Sequence, residues 1–436
     1  MGDAIAYAML NTFVLFFLTT VAEISPFWAG TIVIIGTLWN AVFTPFLGYF
    51  ADRFHENHRR RGPMILMFGI PLGLALFLMF TYIAFPPIIK EIYYCLVLIL
   101  YWTCYTGFFI PYCALGVDYT ADYSDRTKLR LFASLFNSVG AIFTFIMPNT
   151  IVSLLETHGV STASAWALAG AVLGLMATGS ILCTIMFSKD HDVPPAIETD
   201  DNHSSFSFLT IILSYMELIK EKPLRYLTAT SFAALITISL VNSSAMYFLT
   251  FKLGLTPNQI TICLLLRTLI GVCYIPLVAK LCETGDKRHI QILFWVLMIV
   301  CMLIVRFAAL PVILIILIYL IGSSLSSSTY WQVIPSVFYD VCEYDKIVNR
   351  RNMSAAILSY QSFIETLAAG IGSQLLGYIL QFADFDGGSA EQSATTLTWL
   401  NNSATIIPCL FIVIAILFLY RYPITRKMYN ELLQPH

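Results

Sequence analysis

The chain reads as a series of apolar runs, each long enough to cross a bilayer, separated by short segments that alternate between strongly basic and nearly uncharged. Spanning a hydrocarbon core of ~30 Å takes about 20 residues of helix. Runs of that kind fall near 4–22, 27–50, 63–84, 91–115, 131–155, 164–188, 226–250, 257–280, 290–309, 311–337, 354–380 and 399–420. With no water to satisfy backbone groups inside lipid, runs of this length must be helical. The expected fold is an all-α membrane protein of twelve transmembrane helices. Composition agrees: 58% of the 436 residues are hydrophobic and 11% charged, against roughly 45–50% and about 25% in soluble chains.

Basic residues set the orientation. Arg53, Arg59, Arg60 and Arg61 follow the second run, and Arg126, Lys128 and Arg130 the fourth. Lys189, Lys220, Lys222 and Arg225 follow the sixth, Lys280, Lys287 and Arg288 the eighth, Lys346, Arg350 and Arg351 the tenth, and Arg421, Arg426 and Lys427 the twelfth. The alternate loops hold only Lys90 and Lys252, with Arg306 near the end of the ninth run. Every even-numbered loop is therefore expected in the cytoplasm, together with both termini, in a plasma membrane.

The polar segment KDHDVPPAIETDDNHSS and the amphipathic SFLTIILSYMELIKEKP after it divide the chain. The expected organisation is an N-terminal six-helix bundle over 1–188, a cytoplasmic central loop over 189–223 with an amphipathic helix on the membrane surface, and a C-terminal bundle over 224–436. A formal net charge of −2 argues against a nucleic-acid partner. Most cysteines lie in apolar runs without metal-ligand spacing, so neither a metal nor a cofactor is expected. No run with a small-residue cleavage site precedes the first apolar segment.

The halves repeat each other. PYCALGVDYTADYSDRTKLR (111–130) follows the fourth run and PSVFYDVCEYDKIVNRR (335–351) the tenth, each a proline, then acids spaced around tyrosine, then basic residues. Such repeats are typical of secondary transporters with a site between two like-built halves. GYFADR…RRR after the second run resembles the inner loop of the major facilitator superfamily. PYCALGVDYTADYSDRTKL resembles the signature of its glycoside–pentoside–hexuronide:cation symporter family, and YDVCEYDKIVNRR and FVLFFLTTVAEISPFWAGTI resemble two further family stretches. The resemblance implies the major facilitator fold, two pseudo-symmetric six-helix bundles, in a bacterial inner membrane. It implies a cytoplasmic gate formed by Gly48, Asp52, Arg53, Asp118, Asp122, Arg126, Asp340, Glu343 and Arg350. Small Gly48 is expected to admit a neighbouring helix at close range.

The family's second span carries two carboxylates that contribute to a cation site. In this chain the same frame reads Trp39-Asn40-Ala41-Val42-Phe43-Thr44-Pro45-Phe46-Leu47-Gly48, with Asn40 and Thr44 in place of both acids. Two neutral oxygens offer a hard cation far less charge compensation than two carboxylates. The family's lysine in span eleven falls on Thr366 and its arginine in span five on Ala133. Coupling to Na⁺ of the family type is thus in doubt, and H⁺ is favoured as the coupling ion.

Ionisable groups at membrane depth are costly and mark function by default. Arg267 and Glu365 stand in spans eight and eleven, and Asp3 in span one. Arg267 and Glu365 either form a static ion pair, form one that opens to load a proton on Glu365, or never meet. All seven histidines are expected in loops or at the tail. Solute contacts are expected from aromatic and amide side chains, which suit sugar rings and hydroxyls. The candidates are Tyr7, Asn11, Asn40, Thr44, Tyr105, Thr106, Tyr112, Asn242, Trp331, Gln332, Tyr360 and Gln361, with Tyr330 beside them; each is otherwise ordinary helix-packing material.

The expected function is secondary active transport of a sugar-like small-molecule solute (a glycoside, pentoside or hexuronide) by alternating access, by a monomer in the lipid bilayer. The alternatives are proton-coupled or uncoupled transport of a non-sugar polar or amphipathic solute, and a non-transporting membrane sensor. No H-E-x-x-H, G-x-S-x-G or P-loop is present, so no enzyme is expected.

Overall fold

The computed structural model describes residues 1–58, 60–118, 123–188, 218–348, 354–389, 391–424 and 428. One compact unit is built mainly on α1 (Gly2–Thr20), α2 (Pro26–His58), α3 (Gly62–Met79), α4 (Pro87–Asp118), α5 (Tyr123–Thr157) and α6 (Thr162–Ser188). The other is built mainly on α7 (Lys222–Tyr247), which runs on as a π-helical turn over Phe248–Lys252, and on α8 (Pro257–Thr284), α9 (Lys287–Phe307), α10 (Val312–Val348), α11 (Ser354–Phe382), α12 (Ala394–Ala404) and α13 (Ile406–Tyr420). Among the described residues twelve segments are long and apolar enough to cross a membrane, α12 and α13 together forming the last.

The expected spans are all present. Several helices run past them, α2 to His58 and α10 to Val348 for example, because the polar ends after each apolar run continue the helix. The last span differs in kind, for it is interrupted at Thr405 (φ −126°, ψ −73°). Pro408 stands four residues after Ala404, where it can neither donate to the Ala404 carbonyl nor avoid it sterically. Of the expected amphipathic segment 207–223, residues 207–217 lie outside the described residues, and Lys222 and Pro223 already belong to α7.

In the first unit α3 packs on α4 and α6, and α2 on α4. The α3–α6 seam is set by glycine: a Cβ on Gly73 would stand 2.6 Å from the Gly174 carbonyl oxygen, and one on Gly174 2.5 Å from that of Gly73. Only bare backbone permits this approach, the usual device where helices associate without a hydrophobic drive. Phe17 of α1 sits among Phe80 at 5.2 Å, Tyr94 at 6.0 Å and Trp166 at 6.0 Å, tying α1, α3, α4 and α6 into one aromatic core. In the second unit α7 is the central element, packed on α11 and α13. There Ser239 Oγ donates to the Ala369 carbonyl at 2.6 Å, and a Cβ on Gly372 would stand 2.6 Å from Ser239 Cβ.

Gly48 does not behave as expected. Within the described residues no atom lies within 4 Å of where its Cβ would stand, so the close approach expected there is not made among them.

Candidate functional site

In the first unit the polar candidates of α1, α2 and α4 fall into two neighbouring groups. On α2 the i, i+4 spacing places Asn40 and Thr44 on one face. Thr44 Oγ1 donates to the Asn40 carbonyl at 2.6 Å and lies 3.3 Å from its Oδ1. Across on α4 the buried Thr106 donates to the same Oδ1 at 2.5 Å. Thr106 thus occupies one lone pair of that oxygen, the single Thr44 proton going to the nearer main-chain carbonyl, and the amide nitrogen of Asn40 is left to donate. One turn away Trp39 Nε1 donates to Thr103 Oγ1 at 2.9 Å, with Phe43 stacked on its ring at 4.9 Å.

The second group joins α1 to α4. The Tyr105 hydroxyl donates to Asp3 Oδ1 at 2.6 Å, and Tyr105 stacks on Phe109 at 5.6 Å. Tyr7 packs against both Tyr105 and Trp102. Asn11 turns to its own helix, its Nδ2 donating to the Tyr7 carbonyl at 2.8 Å. Tyr112 stacks on Phe108 at 5.5 Å. Tyr101 and Trp102, which residue-type reasoning passed over, belong to this group; their signal was the i, i+4 repeat Tyr101-Tyr105-Phe109.

In the second unit Glu365 Oε1 accepts from Gln361 Nε2 at 2.7 Å and from the Tyr330 hydroxyl at 3.5 Å. Arg267 instead donates through Nη2 to Asn242 Oδ1 at 2.6 Å. The ion pair between Arg267 and Glu365 is therefore not made. Asn242 of α7 takes the guanidinium, while Ser239 and Ser243 of the same helix meet Ser373 of α11. Tyr360 is buried beside Gln361. Trp331 is 47% exposed and meets Tyr330 edge-on at 5.3 Å, while Gln332 spends its Nε2 on the Ser328 carbonyl of its own helix at 3.0 Å. Thr366, at the family's lysine position, likewise bonds back to Ser362 at 2.9 Å.

Of the gate candidates, Asp340 pairs within its own unit, its carboxylate meeting Lys287 Nζ at 2.7 and 2.9 Å. Glu343 is half-buried on the same helix. The side chains of Asp52, Arg53, Asp118 and Arg126, and all of Asp122 and Arg350, lie outside the described residues. Among the described residues no three His, Cys, Asp or Glu side chains converge as metal ligands would.

Six spanning helices in each unit, with amides, hydroxyls and carboxylates turned on one another at membrane depth, define a membrane transporter of the major facilitator fold. The chain matches the family model described as MFS/sugar transport protein over residues 1–426, and it belongs to that family. It is 23% identical over 435 residues to the glucuronide carrier protein homolog of Escherichia coli (strain K12), covering 98% of this chain and 91% of that one. Similarity to the sodium-dependent lysophosphatidylcholine symporter 1-A of Danio rerio is 23% over 459 residues, covering 97% and 84%. The crystal structure of the nucleoside transporter NupG superposes with a TM-score of 0.64 at 16% identity, covering 97% of this chain and 98% of that one. At that identity the likeness shows the fold alone. The chain is an integral membrane transporter and not an enzyme.

Proposed function

We propose that this transporter carries a sugar-like solute, a glycoside, pentoside or hexuronide, by alternating access, with H⁺ rather than Na⁺ as the coupling ion. The observation that carries the reading is the state of Asn40. Its Oδ1, one of the two oxygens that replace the family's carboxylates, already accepts from Thr106, and the other, the Thr44 hydroxyl, is turned to the Asn40 carbonyl of its own helix. A sodium ion needs several free oxygen ligands with negative charge among them, and the pair Asn40–Thr44 supplies neither. Glu365 supplies the titratable group instead. Its hydrogen bonds come from a neutral amide and a phenol, so it takes up a proton without breaking an ion pair. Within the first unit Asn40, Tyr105, Thr106 and their neighbours supply amide, hydroxyl and aromatic surface of the kind a polyol needs. The relative named as a glucuronide carrier protein homolog supports a sugar-like cargo. The basic loops support insertion in an inner membrane with both termini cytoplasmic.

Uptake of glycosides, pentosides and hexuronides into energised vesicles tests this directly. Stimulation by an inward H⁺ gradient, with none by Na⁺ or Li⁺, is the expected result; stimulation by Na⁺ alone would refute the coupling. A second reading, transport of an amphipathic non-sugar solute, is favoured by the relative named for lysophosphatidylcholine. Uptake of such a lipid in place of every sugar would select it.

A further inference from the structure

Asp3 is a carboxylate at membrane depth that no described side chain neutralises. It lies in the span Gly2–Thr20, half-buried, and its one hydrogen-bond partner among the described residues is the Tyr105 hydroxyl. No described lysine, arginine or histidine is within ion-pair distance. The amine of Met1 is close enough to act on it but hydrogen-bonds to Asn137 Oδ1 at 3.3 Å. Taking such a charge out of water costs several kcal/mol unless something compensates it.

Aromatic rings gather around Tyr105, the partner of that carboxylate. Tyr7 lies 6.0 Å from Tyr105 and 6.5 Å from Trp102, Trp102 lies edge-on to Tyr105 at 5.6 Å, and Tyr101 stacks on Tyr105 at 6.2 Å and 12°. Tyr101 is fully buried, its hydroxyl has no hydrogen-bond partner, and it is within electrostatic reach of Asp3. The buried Trp102 Nε1 is also unpartnered. Buried polar groups left unsatisfied in a native protein call for an explanation, and here two of them lie in the aromatic cluster around Tyr105, the hydrogen-bond partner of Asp3. Tyr7 is 43% exposed, which leaves an approach from one side.

The chemistry of this set selects among cations. A small hard ion requires about six oxygens, whereas one carboxylate and a few phenols present mostly ring faces. Ring faces with one carboxylate suit a bulky cation of low charge density, as in the aromatic cages that hold quaternary ammonium groups. We infer that Asp3, Tyr7, Tyr101, Trp102 and Tyr105 form a subsite for an organic ammonium group carried by the transported solute. The unpartnered Trp102 N–H and Tyr101 hydroxyl would then meet polar groups next to the amine. The inference rests on the transport reading and narrows its solute to an amine-bearing one.

The test uses the purified full chain and thermal unfolding with choline or its uncharged carbon isostere, dimethylbutanol. Choline is expected to stabilise saturably and dimethylbutanol not to. Asp3→Asn is expected to weaken the choline response about tenfold or more. Tyr7→Leu, on the exposed side, is expected to weaken it while preserving the fold, which covers the case in which Asp3→Asn fails to fold. Equal responses to the two probes, no response to choline, or a choline response that survives Asp3→Asn and Tyr7→Leu would overturn the subsite. Stabilisation by NaCl alone that Asp3→Asn removes would overturn it in favour of a metal-ion site. Vesicle uptake of sugars is measured in parallel: uptake without choline binding sinks the subsite and spares the transport reading, and choline binding without uptake of any solute does the reverse.

Discussion

Lys287 Nζ lies 2.7 Å from Oδ2 of Asp340, binding the first turn of α9 to the far part of α10. The α9 turn is itself fixed by Asp286, whose side chain accepts from Arg288 N at 2.9 Å as an N-cap. The pair is partly exposed, 33% and 21% at the two side chains, so solvent screens it and its worth is small. A double-mutant cycle with Lys287→Met and Asp340→Asn is expected to give a coupling of about 0.5–1 kcal/mol in unfolding, shrinking at high salt. A coupling of several kcal/mol would mean that the pair is far better desolvated than its exposure indicates.

The hydroxyls around Asn40 make the sodium question a mutational one. Restoring both acids as Asn40→Asp with Thr44→Asp returns two carboxylates to one face of α2 and removes the amide that Thr106 now serves. Unfolding temperature and uptake are expected to become dependent on Na⁺ or Li⁺ in this variant and to be indifferent to them in the parent. Thr106→Val, by contrast, removes the donor to the half-buried Asn40 oxygen and is expected to cost about 0.5–1.5 kcal/mol of stability. Unfolding in a sodium-free buffer measures it.

What could be read before the fold was known divides along a physical line. Span positions were legible because bilayer thickness forces about 20 apolar residues into each helix. Contacts within one helix were legible too, since i, i+4 spacing alone brings Thr44 to Asn40 and Gln361 to Glu365. Contacts between helices were not. Arg267 and Glu365 were singled out as ionisable residues at depth, but only the rotation of α8 against α7 decides that the guanidinium goes to Asn242. Gln332 and Asn11 were chosen for side-chain type, and each bonds back to its own helix instead. The break at Thr405 needed attention to a single proline among several that the other helices carry without interruption.

Glu365→Gln separates coupling from structure. The amide keeps an acceptor oxygen for Gln361 and Tyr330, so the unfolding free energy is expected to stay within about 1 kcal/mol of the parent. It cannot carry a proton. Gradient-driven accumulation is expected to be lost while solute exchange at equilibrium continues. Accumulation that keeps its full response to an imposed H⁺ gradient would remove Glu365 from the coupling mechanism.

Lys90 was legible only as a loop charge, yet its side chain is buried, 8% exposed, at the start of α4. A cation at a helix N-terminus opposes the macrodipole, so its position needs a compensating partner. That partner is the carbonyl of Ala22, 2.8 Å from Nζ and just beyond the C-terminal end of α1, where unsatisfied carbonyls gather. The Tyr82 ring adds a cation–π contact at 4.9 Å. Lys90→Met keeps most of the apolar stem and removes both contacts, and is expected to lower unfolding stability by about 1–3 kcal/mol. Lys90→Arg retains the charge and the ring contact and is expected to recover part of the loss. Equal stability of Lys90→Met and the parent in a thermal melt would show that the buried charge is offset by the contacts it makes and adds nothing net to the fold.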